Sequence, residues 1–346
     1  MGRSIPHNSH TSPELLAQVN PHNQQLLKDF IEYMDSIGKS DTTLIGYRQD
    51  LNIAFCWNLR FNGNKEYQLW TKHDIQRYQS YMVVECHVSP ARMRRLKAVL
   101  SSLSNFIEDM LDEDYPQFRN TVNRIKSPPK GEVLEKTVIS EEEITYLLNV
   151  LIQRCEYQKA CIVALAAYSG RRKSELLRFK VADFDNSRLV CNGSLYKSLP
   201  IKTKGRGKRG KLLECYTLYR EFEPYFRTWM LWRMHNNIIS EWLFIDPKNP
   251  TRPLKAKTVD GWYDEMSEIL GKPFYLHALR HGLTTRFVRA GIPERVIKDI
   301  MGWESVEMVD RYCDIPKDES FGMYFDNGGI KIPQPKQDAF DGWSWT

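Results

Sequence analysis

Hydrophobic residues recur every three or four positions through the first third of the chain. The segments "NQQLLKDFIEYMDSIG" and "SPARMRRLKAVLSSLSNFIEDML" show the pattern most clearly, and two similar segments lie between them. This period is typical of amphipathic helices that bury one face. Ser89 can cap the last segment, and Pro90 suits the first position of a helix. The pattern therefore predicts an all-helical domain over residues 21–124.

Three stretches lack a lasting hydrophobic period. Residues 1–20 are polar, which predicts a disordered N-terminal tail. The segment "IKSPPKGEVLEK" (125–136) contains two prolines and a glycine and predicts a linker. Residues 317–346 are rich in proline, glycine, aspartate and aromatic residues. We expect this C-terminal tail to dock either on its own domain or on a neighbouring protomer.

The second periodic region, residues 137–316, mixes helical and strand patterns. Ser140 and Glu143 have the spacing of a capping box at a helix start. The segment "QKACIVALAAYSG" is almost wholly apolar and predicts a central buried helix. Three short pieces, "RLVC", "YKSLPIKT" and "KLLECYTL", predict a small antiparallel sheet. Helical patterns then resume, so the expected fold class is mainly α with a small antiparallel β-sheet (α+β).

The composition excludes several classes of protein. The chain has 346 residues, which suggests two domains. It has no apolar run near the roughly 18 residues that a membrane span needs, so we expect no membrane association. Seven cysteines without metal-type pairing predict reduced thiols, a cytoplasmic location and no metal site.

The distribution of positive charge suggests the kind of partner. The net charge of +6 is modest, but "KTKGRGKRGK" (202–211) holds six basic residues in ten positions. Such a strip favours a polyanion as partner, although a loop kept open by its own charge is the alternative. The predicted helix after Ser89 also carries basic residues around its early turns. The candidate DNA-contacting residues are Arg92, Arg94, Arg95, Lys97, Arg206, Lys208 and Arg209.

Three motifs in the second region hold residues suited to phosphate chemistry. "SGRRKSELL" (169–177) places Arg172 three residues before Glu175, so the two can pair on a helix. "HALRHGLTTRF" (277–287) puts His277 and Arg280 on one helix side, where burial requires an opposing negative charge. "MGWESVEMVDRYCD" (301–314) follows with a tryptophan and, nine residues later, a tyrosine. Each motif alone is compatible with an ordinary ion pair or a packed ring.

Taken together and in this order, "SGRRKSEL", "HALRH" and "GW" with a later "RY" resemble the tyrosine recombinase (phage-type integrase) family. The resemblance runs from about residue 24 to 315. It implies a helical core-binding domain followed by a tyrosine-recombinase catalytic domain. It also implies a site-specific DNA recombinase that cuts and rejoins DNA through a 3′-phosphotyrosine, with no metal or other cofactor.

The resemblance further implies a role for each matching residue. Tyr312 is the nucleophile, because a tyrosine ester keeps enough energy to be attacked by a DNA 5′-hydroxyl. Arg172 and Arg280 donate paired hydrogen bonds to the nonbridging phosphate oxygens. His277 accepts or donates a proton beside the tyrosine.

The remaining roles concern the leaving group and the orientation of the site. The resemblance implies a lysine of the β-turn as general acid, and Lys204 matches best, with Lys202 and Lys208 as alternatives. Trp303 stands where most family members have histidine; its indole N–H can donate one hydrogen bond but cannot carry a proton. Glu175 orients Arg172 or His277 without touching DNA.

The family also implies the partners. These are a double-stranded DNA recombination site, a homotetramer on two such sites, and an excisionase or other accessory protein. The expected location is the cytoplasm, at the nucleoid of a bacterium or archaeon. The alternative source of the gene is a phage or other mobile element. Two alternatives remain: a relative that binds DNA without cutting it, and a type IB topoisomerase.

Overall fold

The computed structural model describes residues 10–129, 137–203 and 210–313, together with residues 315, 322, 325–326 and 329–330. The described chain is mostly helical with small antiparallel sheets, which confirms the predicted fold class. It forms two compact units, residues 10–129 and residues 137–203 with 211–313. No helix in these residues is long and apolar enough to span a bilayer.

The first unit is helical throughout. Its helices begin at side chains that accept backbone hydrogen bonds: Asn20, Ser40, Thr71 and Ser89. A single π-helical turn, Tyr81–Glu85, follows the fourth helix. The helices are α1 (Pro13–Gln18), α2 (Pro21–Ser36), α3 (Asp41–Phe61), α4 (Lys72–Ser80) and α5 (Pro90–Met110).

One core holds the first unit together. The apolar faces of α2, α3 and α5 meet there, as their period predicts. Phe30, Leu51, Phe55 and Leu103 are almost fully inaccessible to solvent. Each contributes about 1.5–3 kcal/mol to the burial term of folding.

The predicted disorder of residues 1–20 is wrong for residues 13–20. Ser12 caps α1 by accepting a hydrogen bond from the Leu15 N–H at 3.2 Å. Val19 is buried, and Leu15 and Leu16 pack against the same core. A helix of one and a half turns is too short to show a period in the sequence. Residues 1–9 lie outside the described residues.

The second unit is built around α7, whose apolar composition places it at the centre. This helix packs against α6, α9 and α12. Most of its residues are buried, as predicted from "QKACIVALAAYSG". The helices are α6 (Glu141–Gln153), α7 (Tyr157–Ser169), α8 (Lys173–Leu176), α9 (Tyr219–His235), α10 (Ala256–Asp260), α11 (Tyr263–Leu270), α12 (Leu276–Arg289), α13 (Glu294–Met301) and α14 (Glu307–Tyr312).

Short strands form several small antiparallel sheets instead of one. The order β1-β2-β5 makes a three-stranded sheet, while β3 pairs only with β4 and β6 with β7. Two predicted strand pieces are each divided: residues 198–200 separate β2 from β3, and residues 214–215 separate β4 from β5. The strands are β1 (Leu189–Val190), β2 (Leu195–Lys197), β3 (Ile201–Thr203), β4 (Lys211–Leu213), β5 (Tyr216–Leu218), β6 (Ile245–Asp246), β7 (Asn249–Pro253), β8 (Phe325–Asp326) and β9 (Gly329–Ile330).

Candidate active site

The turn between α7 and α8 presents Arg172. Gly170 ends α7 in the left-handed region at φ 61°. The backbone N–H of Arg172 donates to Glu175 Oε2 at 3.1 Å, and its guanidinium donates to Oε1 at 3.0 Å. The Glu175 side chain is buried, whereas that of Arg172 is 31% exposed. Glu175 therefore fixes the direction of a guanidinium that solvent or a ligand can still reach.

Helix α12 supplies the second arginine. Arg280 is fully buried, and its guanidinium donates to the carbonyl oxygen of Gly170 and to that of Met301, the latter at 3.1 Å. Burial, with Arg172 and Arg171 nearby, lowers the pKa of Arg280 to about 10, so it remains charged at neutral pH. The Arg280 side chain thus joins the end of α13 to the turn that carries Arg172.

The turn after α13 carries Trp303. Gly302 adopts a left-handed conformation with φ 67° and ends the helix. The Trp303 ring is buried, and the Arg280 guanidinium carbon lies 5.0 Å from its centroid. Met301, Trp303 and Tyr312 belong to a small apolar cluster between α12, α13 and α14.

Tyr312 is the last residue of α14 and is largely buried. Its hydroxyl lies 3.1 Å from Nε2 of His277. Its ring packs against His281 at a centroid distance of 4.5 Å and an angle of 28°, and against Trp303 at 5.0 Å and 32°. The Arg280 guanidinium carbon lies 5.5 Å from the ring centroid. The structure therefore brings His277, Arg280, Trp303 and Tyr312 together.

The electrostatics keep His277 neutral. Its partial burial, with the nearby charges of His281, Arg280 and Arg172, lowers its pKa to about 4. In the tautomer with the proton on Nδ1, Nε2 accepts a hydrogen bond from the Tyr312 hydroxyl. This arrangement allows His277 to take the hydroxyl proton.

Positive charge exceeds negative charge at this site. Arg171, Arg172 and Arg280 lie close together, and Arg172–Glu175 is the only ion pair that any of them forms in the described part of the chain. Three buried N–H groups have no acceptor among the described residues: Nε of Arg171, Nε of Arg280 and Nε1 of Trp303. Buried donors are nearly always paired in folded proteins. The site is therefore suited to an anion with several oxygen atoms.

Arg171 is a residue that sequence reasoning missed. Its side chain is buried and donates to the carbonyl oxygens of Ile300 and Met301, at the end of α13. These contacts join positions about 130 residues apart, and nothing in the local sequence indicates them. The doubled arginine in "SGRRKSEL" was the available signal, but only its second member was assigned a role.

The basic strip lies largely outside the described residues. Lys204, Arg206, Lys208 and Arg209 all fall in the undescribed segment between β3 and β4. The alternative general acid Lys202 is within β3. The assignments of the general acid and of the DNA contacts in this strip stay predictions.

Two predicted DNA-contacting residues of α5 bind an internal carboxylate. Arg92 Nη2 lies 2.6 Å from Asp50 Oδ1, and Arg95 Nε lies 3.1 Å from Oδ2. The Asp50 side chain is fully buried, so these pairs join α5 to α3. The Arg95 side chain is 61% exposed and remains available to a phosphate.

The other two predicted DNA-contacting residues of α5 contact the segment 125–128. Arg94 donates to the Pro128 carbonyl at 2.6 Å. Lys97 donates to the Ile125 carbonyl and to Ser127 Oγ. Lys97 is buried, and burial lowers the pKa of its amine. This arrangement favours a structural role for Lys97, and its phosphate contact stays a prediction.

No group of three or more His, Cys, Asp or Glu side chains in the described ranges could hold a metal ion. All seven cysteines are free thiols.

Comparisons with known protein families cover most of the chain. Residues 137–319 match the model described as the phage integrase family. Residues 26–117 match the phage integrase N-terminal SAM-like domain.

Curated proteins of similar length match as well. The SPbeta prophage-derived recombinase-like protein YomM of Bacillus subtilis is 28% identical over 307 residues, which cover 86% of this chain and 89% of that protein. Tyrosine recombinase XerA of Pyrococcus horikoshii is 23% identical over 299 residues, covering 85% and 90%.

Solved structures share the fold at low sequence identity. The Tn1549 transposon integrase in complex with a circular intermediate DNA matches with a TM-score of 0.64 at 14% identity, covering 86% of this chain and 97% of that one. A lambda integrase dimer bound to a core site matches with a TM-score of 0.61 at 14% identity, covering 84% and 95%.

Proposed function

The chain belongs to the phage integrase family and is a tyrosine site-specific recombinase; from this premise we propose which of its residues break and rejoin DNA. The observation that carries the proposal is the hydrogen bond between Tyr312 and His277, beside buried arginines with unused N–H groups. The proposed active site consists of Arg172, Lys204, His277, Arg280, Trp303 and Tyr312, with Glu175 orienting Arg172.

The Tyr312 oxygen attacks the scissile phosphorus and forms a 3′-phosphotyrosine ester, while the bond to the 5′-oxygen breaks. A 5′-hydroxyl from the partner strand then attacks the same phosphorus and releases the tyrosine. The number of phosphodiester-type bonds is conserved in each step, so no nucleotide hydrolysis is required.

Negative charge develops on the nonbridging oxygens during each attack. Arg172 reaches this charge from the exposed side of its turn. Arg280 has five N–H donors, and within the described ranges its bonds to the Gly170 and Met301 carbonyls use two of its nitrogen groups. Its free Nε and the Trp303 indole N–H supply further donors.

Two protons must move during cleavage. A neutral His277 accepts the proton of the Tyr312 hydroxyl as the new bond forms. We assign the protonation of the leaving 5′-oxygen to Lys204, with Lys202 and Lys208 as alternatives.

The partner is DNA, as the family and the DNA-bound structural neighbours indicate. We further propose a homotetramer on two double-stranded recombination sites, with DNA contacts from Arg95, Arg206, Lys208 and Arg209, and with an excisionase or similar accessory protein. The proposed recombinase acts on DNA in the cytoplasm of a bacterium or archaeon. The proposed domains are residues 21–124 for core-site binding, a linker over 125–136, and residues 137–316 for catalysis, with the 317–346 tail docking on a protomer.

The test is covalent capture on a suicide substrate, a nicked duplex whose cleaved fragment diffuses away. Wild-type protein accumulates a DNA adduct on a denaturing gel, and Tyr312→Phe binds the site but forms none. Tyr324→Phe, which changes the only tyrosine that follows Tyr312 in the sequence, is the matched control and retains the adduct. An adduct that persists in Tyr312→Phe contradicts the assignment, and equal reaction on any duplex favours a topoisomerase.

A further inference from the structure

His281 lies one helical turn after His277 on α12, so both rings face α14. The two histidines contact Tyr312 in different ways. His277 meets the tyrosine ring edge-on, at an interplanar angle of 73°. His281 is nearly parallel to the tyrosine ring at 28°, with a centroid distance of 4.5 Å. One histidine therefore contacts the hydroxyl, and the other covers the ring.

Helix α14 cannot fix the tyrosine by itself. It has six residues, and Tyr312 is the last of them. So short a helix has little stability of its own, and the end of a helix is its least constrained position. The orientation of the ring must therefore come from residues that pack against it.

Those residues are His281, which stacks on the Tyr312 ring at 28°, and Trp303, which is tilted to it by 32°. Rotation of the tyrosine about its side-chain bonds would break both ring contacts and carry the hydroxyl away from Nε2 of His277. The hydrogen bond between the Tyr312 hydroxyl and His277 thus depends on the contacts that the Tyr312 ring makes with His281 and Trp303.

We propose that His281 is a positioning residue for the cleavage reaction, holding the Tyr312 ring by stacking so that its hydroxyl stays on His277. This inference rests on the proposed role of Tyr312 as nucleophile. His281 itself exchanges no proton with the reacting atoms. What the role requires is a flat ring at position 281, and the nitrogen atoms of that ring are not needed.

An aromatic pair contributes about 0.5–1.5 kcal/mol beyond simple burial, which corresponds to about a twofold to tenfold change in rate. His281→Leu removes the flat ring and should slow adduct formation by about that factor. His281→Phe keeps the ring and should cleave within about twofold of wild type. His281→Gln keeps hydrogen-bonding capacity without a ring and should be as slow as His281→Leu.

The assay is single-turnover adduct formation on the suicide duplex at saturating protein, with half-site affinity measured separately by mobility shift. The effect should lie in the rate constant, with affinity unchanged. His22→Leu is the matched control, since His22 is another partly buried histidine in edge contact with a tyrosine, Tyr115, in the first unit. It should cleave at the wild-type rate.

The variants separate the possible outcomes even if one of them fails to fold. A wild-type rate in either ring-free variant overturns the proposal, and so does a His281→Phe protein as slow as His281→Gln. The proposal is also overturned if a ring-free variant loses affinity for the half-site but forms the adduct at the wild-type rate constant. Failure of the proposed function is distinguishable, because it would show as an adduct in Tyr312→Phe, whereas failure here leaves the Tyr312→Phe result intact.

Discussion

Gly302 and Gly271 end their helices in the same left-handed conformation, with φ 67° and 66°, but in different surroundings. A Cβ at position 271 would meet nothing within 4 Å. A Cβ at position 302 would lie 2.8 Å from Nη1 of Arg171 and 3.1 Å from Cδ1 of Leu213. The buried Arg171 guanidinium cannot simply move aside, because it is bound to backbone carbonyls.

The two alanine substitutions should therefore differ in cost. Both place a Cβ in the left-handed region, which costs about 1–2 kcal/mol, less what alanine saves in the unfolded chain. Gly302→Ala adds overpacking of a buried site, about 1–3 kcal/mol more. We expect Gly271→Ala to lower the free energy of unfolding by about 1 kcal/mol and Gly302→Ala by about 2–4 kcal/mol.

Urea unfolding of both variants, followed by tryptophan fluorescence and circular dichroism, measures this difference. Gly302→Ala should also slow adduct formation in the folded protein, because Arg171 holds the turn that carries Trp303. Gly271→Ala should cleave at the wild-type rate. Equal stability losses in the two variants would refute the reasoning, since they would show that the contact with Arg171 relaxes without cost.

Three further predictions concern other parts of the molecule. Lys204→Ala should cleave slowly, and a substrate with sulfur as the bridging 5′-atom should largely restore the rate; equal defects on both substrates would move the general acid to Lys202 or Lys208. In the DNA-free protein, the His277 pKa of about 4 lies below its ordinary 6.5, so its contribution to stability is full above pH 6.5 and is lost as the pH falls toward 4. A His277 NMR signal that titrates near pH 6.5 would contradict this. Lys97→Met should cost about 1–3 kcal/mol of stability, because the Ile125 carbonyl loses its buried donor, and it should leave the salt dependence of DNA binding unchanged. Arg95→Met should instead reduce that salt dependence, and the reverse pattern would restore Lys97 as a phosphate contact.

The sequence predicts what depends on neighbouring residues in the chain. Ser140 and Glu143 form the capping box that their spacing indicates. The apolar run from Tyr157 to Ser169 is the central helix of its unit. Motif order alone selected the residues that converge on Tyr312, because the family resemblance carries spatial information that hydrophobic periodicity lacks.

What the sequence could not predict depends on contacts between distant segments. Asp50 lies more than 40 residues before Arg92 and Arg95, so the local sequence does not indicate that they pair. The sequence alone therefore predicts both arginines as DNA contacts. Arg171 is likewise bound to carbonyls far along the chain. Its neighbour Arg172 has the same local sequence, but its side chain remains partly exposed. Only the fold decides which of two adjacent arginines is structural.

Arg280 both stabilises the fold and is proposed to bind the phosphate. This has a consequence for copies of the protein that lose recombinase activity during evolution. Its guanidinium holds the Gly170 and Met301 carbonyls whether or not DNA is present. A descendant released from selection for DNA cleavage could replace Tyr312 with little structural damage, since phenylalanine fills the same space. Replacing Arg280 would remove this donor from the Gly170 carbonyl and leave the Met301 carbonyl with Arg171 alone, so the two turns would lose the side chain that joins them. Inactivated copies in genomes should therefore lose the tyrosine early and keep this arginine long after recombination has ceased.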